Sequence, residues 1–433
     1  MGNERLFIVL LLASFAILLY TYAGYPALLW LLSKILPARA TEQGEPSVWP
    51  RVSVILSAYN EEAVIEARIR NLLQQDYPPQ KLEILIGSDG STDRTCEIVD
   101  CWRSKQIRLV AFNERRGKAS ILNDLIAMAR GEIVVLTDAN TVFRSQAVRE
   151  LVRGLWRHPS ACAVVGRLEI QSSTANGNLD GAYWRYETWM ETLESRFGWI
   201  LNHNGAIYAF RRDEYTPIPN GTIVDDLMIP LLMRLHRGGH VFMAPAAQAT
   251  ETASARIGDE FRRRVRIGAG NLHALLWTWP LLLPWKGTGP AYFSHKLLRW
   301  LAPLLLLVGF GANLELLGVP FFRVLFAGQL ACYGLALLAP LLRRVSMVGL
   351  AAAALRFFFV MNAALLLGFI RFALGAARPF WNTTPRPVAV EGLSASPGAG
   401  AFAPRLASSE LELDHRGFFA AAGAGGGGGG GED

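Results

Sequence analysis

An α/β domain whose parallel sheet is covered by helices on both faces, combined with membrane-spanning helices, is the fold the sequence predicts. Three observations predict it. Short β-branched and aliphatic runs alternate with helical stretches from Arg51 to Leu136, the rhythm of βαβ units. Polar clusters rich in Asp, Ser and Asn follow three of those runs. The hydrophobic content, 51% of 433 residues, is unevenly spread, with long apolar stretches on either side of that region.

The first apolar stretch runs from about Leu6 to Leu32 without a charged residue, enough for one crossing at ~20 residues. It exceeds an ordinary signal-peptide core, and no Ala-x-Ala-like site followed by a secreted-type, cysteine-paired domain appears. Residues 1–37 are therefore read as an N-terminal transmembrane helix. Lys34, Arg39 and Arg51 come soon after it, and positive residues favour the cytoplasmic side. A polar linker over 38–50 leads to a cytoplasmic domain over 50–255.

Within that domain the expected order is strand Arg51–Ala58, helix Glu61–Gln75, strand Leu82–Gly87, helix Thr92–Ser104, strand Arg108–Phe112, helix Lys118–Ala129 and strand Glu132–Leu136. Parallel sheets bind ligands at the carboxyl ends of their strands. The polar punctuation falls there: Tyr59-Asn-Glu-Glu62, Ser88-Asp-Gly-Ser-Thr-Asp93 and Thr137-Asp-Ala-Asn140. Any one of these could be ordinary helix capping. Three on one rim, without a Walker loop or Gly-x-Gly-x-x-Gly, point to a nucleotide-diphosphate site. Asp138 and Asn140, one residue apart at a strand tip, offer the hard oxygens that Mg²⁺ or Mn²⁺ shares with phosphates.

Further along, Asn178–Phe197 is an aromatic-rich helical stretch carrying Glu187, Glu191 and Glu194. It either packs on the sheet or forms a rim toward the membrane or an acceptor. A strand at Ala206–Phe210 and a helix from about Thr222 to Arg237 follow, with Asp225 and Asp226 at the helix start. Adjacent carboxylates there suit the helix dipole, and one can serve as a general base.

The run Arg262–Ile267 and the indoles Trp277, Trp279 and Trp285 make residues 256–290 amphipathic interface helices with an aromatic belt. The arginines are either a solvated face or phosphate ligands. Spans at 297–318 and 321–342 follow, within a C-terminal membrane region over 296–376. Val345–Ala373 carries Arg356 near its middle, and is read either as a third crossing or as a re-entrant hairpin. Arg371, Arg378 and Arg386 favour the inside. The Gly-rich stretch 388–433 is low-complexity and expected to be disordered.

The net charge of +7 comes with basic residues beside apolar segments, which fits an anionic membrane surface and excludes nucleic acid as the expected partner. The four cysteines have no metal-ligand spacing and are expected as free thiols.

These motifs together resemble the membrane-embedded family 2 glycosyltransferases of GT-A fold, which include bacterial polysaccharide synthases. The resemblance spans about 50–275 by motif. It implies that Val54–Glu62 holds base and ribose, with Ala58, Tyr59 and Glu61 in the pocket, and that Asp89 contacts uracil. Gly117-Lys118 resembles the segment beside the diphosphate. Asp138-Ala-Asn140 resembles the Asp-x-Asp metal motif with Asn in second place. Val224-Asp225-Asp226 stands for Thr-Glu-Asp, which makes Asp226 the base. The Gln-x-x-Arg-Trp signature of processive synthases is not intact: with Arg264 as its arginine, Phe261 and Val265 replace Gln and Trp.

The resemblance implies an inverting transferase using a UDP-sugar and Mg²⁺ or Mn²⁺, with Arg264, Arg266 and Lys118 against the leaving charge. A lipid-linked or glycan acceptor, membrane lipids, and polysaccharide-export or synthase components are the expected partners. The expected location is a bacterial inner membrane with the catalytic domain in the cytoplasm. A processive synthase that secretes its polymer stays open as an alternative. A weak nucleotide-sugar-binding scaffold is a reading of another class, motivated by Asn140, Phe261 and Val265. A transporter is disfavoured because the spans hold few ionisable residues beyond Arg356 and Glu315.

Overall fold

The computed structural model describes residues 2–39, 41, 44–171, 177–201, 205–252, 257–342 and 346–376. Arg343, Arg344, Arg378, Arg386 and the tail 388–433 lie outside the described residues.

The chain starts with α1 (Gly2–Leu19), a π-helical segment Tyr20–Gly24 and α2 (Tyr25–Ile35). The α/β order then follows: β1 (Val52–Ala58), α3 (Ile65–Leu73), β2 (Leu82–Asp89), α4 (Thr95–Cys101), β3 (Ile107–Phe112), α5 (Lys118–Met128) and β4 (Ile133–Thr137). All seven residues of β1 and all five of β4 are buried, as strands covered on both faces require. Helices α3 and α5 lie on opposite faces of the sheet. Ile65, Ile69 and Leu72 join one core cluster, and Ile121, Leu122 and Leu125 join the other.

Beyond β4 come β5 (Val142–Phe143), α6 (Ala147–Arg157), β6 (Ala161–Gln171), α7 (Gly177–Ser195), β7 (Ile207–Arg211), α8 (Asp225–Arg237) and β8 (His240–Thr252). The strand order is β3-β2-β1-β4-β7-β6-β8-β5. The parallel pairing expected over 51–136 is present, and beyond it the sheet turns mixed. The first four strands pair in parallel, but β7 runs antiparallel to both β4 and β6, and β5 antiparallel to β8. The sheet is mixed, and β5, β6 and β8 were not expected. β8 is hidden in the sequence because Pro245 breaks its pattern. The pairing with β6 steps from Ala244 to Gln248 and skips 245–247, a bulge of the kind that tolerates proline in a sheet.

The arginine run lies within one helix, α9 (Ile257–Thr278), which gives way to 3₁₀ turns at Trp279–Leu282 and Pro284–Lys286. Trp277, Trp279 and Trp285 are exposed. Next come α10 (Gly289–Ala291), a second π-helical segment Tyr292–Leu297, α11 (Leu298–Glu315), α12 (Pro320–Leu338) and α13 (Ser346–Ala373). Among the described residues four helical stretches are long and apolar enough to cross a membrane: Asn3–Ile35, Gly289–Glu315, Pro320–Leu338 and Met347–Ala373. The re-entrant hairpin is corrected, since α13 is one unbroken 28-residue helix through Arg356. A side chain at Gly268 would meet Leu365 O at 3.0 Å, and one at Gly368 would press closer still on Val265 O and meet Ala269 N at 2.9 Å. Helices α9 and α13 therefore cross backbone to backbone, the close approach small residues allow.

Candidate active site

The strand tips interlock before they form a pocket. After Ala58, Asn60 turns at φ 53°, and its N–H donates to Ser91 Oγ at 3.1 Å. Glu61 N–H donates to Thr95 Oγ1 at 2.8 Å and Glu62 N–H to Asp93 Oδ2 at 3.1 Å. Side chains of the second tip thus satisfy the backbone of the first, as Asx and Ser/Thr motifs do. The Tyr59 ring lies under the Arg115 guanidinium, 3.8 Å from its centroid.

Asp89 is fully buried. Its Oδ1 accepts Arg116 N–H at 2.6 Å, and its Oδ2 accepts Gly117 N–H at 3.0 Å. A carboxylate without exposed surface, with both oxygens on backbone donors, holds the loop before α5. Gly117 has φ 88°, a conformation that favours glycine, and Lys118 begins the helix.

Lys118 reaches the tip of β4. Its Nζ lies 2.9 Å from Asp138 Oδ1 and 3.1 Å from Asp225 Oδ2. Burial works against this ammonium, but Asp138 and Asp225 outweigh it and hold its pKa above the usual lysine range. Asp225 is buried and Asp226 partly exposed. Burial first, then the Asp225 charge, pushes the Asp226 carboxyl up to about 7, with Lys118 opposing.

A methyl group at Gly205, where φ is +73°, would stand 3.6 Å from Asp226 Oδ2 and 3.7 Å from Asp138 Oδ2. The two carboxylates therefore converge beside Gly205, whose positive φ favours glycine. Arg266 Nη1 donates to Ile223 O at 2.9 Å, and its charge bears on Asp225, Asp226 and Asp138. Arg264 instead donates Nε–H to Glu260 at 2.8 Å, one turn back on its own helix. Of the two arginines, the geometry joins Arg266 to the carboxylates.

The donor set fits Mg²⁺ or Mn²⁺ shared with a diphosphate. Asp138 keeps Oδ2 clear of the Lys118 contact, and Asn140 Nδ2, buried without a hydrogen-bond partner among the described residues, can donate to a phosphate oxygen while its Oδ1 serves a metal. No cluster of three His, Cys, Asp or Glu could cage a metal among the described residues. One carboxylate plus substrate phosphates is the economy Mg²⁺ uses.

Sequence reasoning missed Arg68, Gly205 and the part played by Asp225. Arg68 is buried and donates Nη2–H to Thr137 Oγ1 at 2.7 Å, while Thr137 donates to Ala206 O at 2.7 Å. This bracing fixes the strand tip that presents Asp138. A charge among Ile65, Ile69 and Leu72 on one helix face was the available signal.

Residues 53–216 match the family described as Glycosyl transferase family 2. The chain carries a family 2 glycosyltransferase domain. The transferase domain is 30% identical to a probable glycosyltransferase of Bacillus subtilis over 52% of this chain and 56% of the relative. It is 27% identical to a beta-monoglucosyldiacylglycerol synthase of Synechocystis over 62% and 58%. It is 26% identical to a poly-beta-1,6-N-acetyl-D-glucosamine synthase of Staphylococcus epidermidis over 53% and 57%. The chain spans little more than half the length of these curated relatives. A mannosyltransferase from Pyrobaculum calidifontis, solved with GDP-Man and Mn²⁺, superposes at TM-score 0.64 and 23% identity over 84% of this chain and 99% of that one. The fold is thus GT-A-like, with a mixed sheet and apolar helices attached.

Proposed function

We propose that the chain is an inverting, metal-dependent glycosyltransferase that moves a sugar from a UDP-sugar to a lipid-linked or growing glycan acceptor at the cytoplasmic face of a membrane. The observation that carries this reading is the convergence of Asp226 Oδ2 and Asp138 Oδ2 on Gly205, with Lys118 between Asp138 and Asp225. A base and a diphosphate-binding group then share one opening.

Asp226 accepts the proton of the acceptor hydroxyl, whose oxygen attacks the anomeric carbon. The bond from that carbon to the diphosphate breaks, and the nucleoside diphosphate leaves. One displacement with one base inverts the anomeric centre. A base raised to about 7 suits work near neutrality. Lys118 and Arg266 stabilise the leaving charge. Asp138, with Asn140 beside it, would hold Mg²⁺ or Mn²⁺, which supplies further charge neutralisation when bound. Ala58, Tyr59 and Glu61 line the nucleotide side, and Asp89 acts through the 116–117 backbone. Arg264 is assigned to the helix surface.

In this reading residues 1–37 and 296–376 anchor the enzyme in a bacterial inner membrane, 50–255 form the catalytic domain and 256–290 rest on the lipid surface. The named relatives make both a glycolipid and a polysaccharide, so cell-surface glycan synthesis covers both products. A second synthase or export component would serve the polymer case.

The test is nucleoside-diphosphate release by the detergent-purified protein, with a panel of UDP- and GDP-sugars, Mg²⁺ or Mn²⁺ and added membrane lipids. Metal-dependent release from one UDP-sugar, lowered at least ~10²-fold by Asp226→Asn, is expected. Binding of UDP without release from any sugar would leave a nucleotide-sugar-binding scaffold instead.

A further inference from the structure

The acidic face of α7 answers the question its sequence left open: it meets the apolar helices. Glu194 is 1% exposed, and burying a carboxylate is costly unless it is paired. Its Oε1 accepts Tyr25 O–H at 2.8 Å and lies 2.7 Å from His295 Nδ1. His295 Nε2 lies 3.4 Å from Glu187 Oε2, and Arg299 pairs with Glu187.

Both partners of Glu194 lie in or directly beside irregular helix. Tyr25 directly follows the π-helical segment Tyr20–Gly24, and His295 lies within the π-helical segment Tyr292–Leu297. The segments touch through Tyr20 Oη and Ser294 Oγ at 2.9 Å. A π-turn is rare and concentrates at functional sites. Here two of them deliver a side chain to one carboxylate.

The other side of Glu194 faces the catalytic helix. Its backbone carbonyl accepts the N–H groups of Phe197 and Trp199, both at 3.0 Å. In the turn so formed, Gly198 O accepts Arg234 Nη2–H at 2.6 Å. Arg234 is 4% exposed and belongs to α8, the helix that opens with Asp225 and Asp226. Arg39, just past α2, holds the same turn: its N–H donates to Arg196 O and its Nε–H to Phe197 O, both at 3.0 Å. The chain then leads to Gly205, against Asp226 and Asp138.

We propose that Glu194 and His295 are positioning residues, which fix the 196–198 turn on Arg234 and so set the carboxylates of α8 by the packing of the first and second apolar helices. Neither side chain contacts Lys118, Asp138 or Asp226 among the described residues, so the effect falls on turnover and not on nucleotide affinity. This rests on the transferase reading above.

The experiment uses the full chain in nanodiscs and measures UDP affinity, UDP-binding stoichiometry and donor turnover per binding site. Wild type is compared with Glu194→Gln, His295→Gln and Tyr25→Phe. Glu194→Gln and His295→Gln are expected to lower kcat per site about tenfold or more, since small misplacement of reacting groups carries a penalty of that size. UDP affinity and the acceptor KM should stay within about twofold, as expected when ground-state binding is untouched. A merely structural network would lower the number of binding sites and leave turnover per site intact. Wild-type turnover per site in Glu194→Gln overturns the proposal. If Glu194→Gln loses its binding sites, Tyr25→Phe decides, because it removes one hydrogen bond and keeps the carboxylate: unchanged turnover per site overturns the proposal and a several-fold loss supports it. A wild type that binds UDP without releasing it from any sugar defeats the transferase reading, whereas an active wild type with an equally active Glu194→Gln defeats this proposal alone.

Discussion

Lys118 Nζ stands 2.9 Å from Asp138 Oδ1 and 3.1 Å from Asp225 Oδ2, so one ammonium joins the tip of β4 to the start of α8. All three groups are at most one-third exposed, so solvent screens the arrangement only in part. Replacing Lys118 by Met leaves two carboxylates without their shared cation. Nucleotide affinity should fall by about tenfold or more, the worth of a charge-assisted hydrogen bond of roughly 1.5–3 kcal/mol. Calorimetric titration with UDP and Mn²⁺ checks this. Wild-type affinity in Lys118→Met would remove Lys118 from the diphosphate site.

The Asp226 carboxyl, raised to about 7, sets a pH limb. A protonated carboxyl cannot accept the acceptor's proton, so kcat/KM should fall about tenfold per pH unit below that value. Stability runs the other way. A carboxyl whose folded pKa exceeds its unfolded value of about 3.9 stabilises the fold below the unfolded pKa and loses that contribution as pH rises through the folded one. Activity and this share of stability should therefore change in opposite directions near pH 7. Lys118→Met should move the limb to higher pH, because the lysine opposes the shift.

Gly205 has φ +73° and faces both site carboxylates. Alanine there adds backbone strain of about 1–3 kcal/mol and puts a methyl where a metal and diphosphate would enter. Gly205→Ala should therefore raise the metal concentration needed for half-maximal release by about tenfold or more, a change worth 1.4 kcal/mol. A metal titration of release reads this directly. An unchanged half-maximal concentration would place the metal elsewhere.

The first four strands and the three polar tips were legible because apolar runs between helices leave few alternatives. Pairing direction beyond β4 was not. The period of a strand says which residues share a face but not which way its neighbour runs, so β7 against β4 and β6 could be placed only in space. Strand β8 was masked by Pro245, and α13 by Arg356, which interrupts hydropathy without interrupting the helix. Asp138, Lys118 and Asp226 were read from motif and do come together. The backbone partners of Asp89 were not legible, because its donors lie in another loop, at Arg116 and Gly117.

The arginine run offers a last test, because Arg264 and Arg266 cannot be ranked from sequence. On α9 they are two positions apart, so roughly 200° of helical rotation separates their side chains. Arg264 is held by Glu260 at 2.8 Å, whereas Arg266 is anchored on Ile223 O at 2.9 Å beside the start of α8. Burial lowers the Arg266 pKa while Asp225 and Asp226 oppose that, which places its charge against the carboxylates. Removing the guanidinium should cost about 10²-fold or more in kcat if it stabilises the leaving group. Removing Arg264 should cost about threefold or less, as for an i,i+4 helix pair worth roughly 0.3–0.5 kcal/mol. Steady-state UDP release by Arg264→Ala and Arg266→Ala, beside Arg266→Lys, separates the two. Lysine restores charge but not the fork that bonds Ile223 O, so partial rescue is expected. The reverse ranking, with Arg264→Ala the more damaging, would show that α9 turns its other face to the donor during turnover.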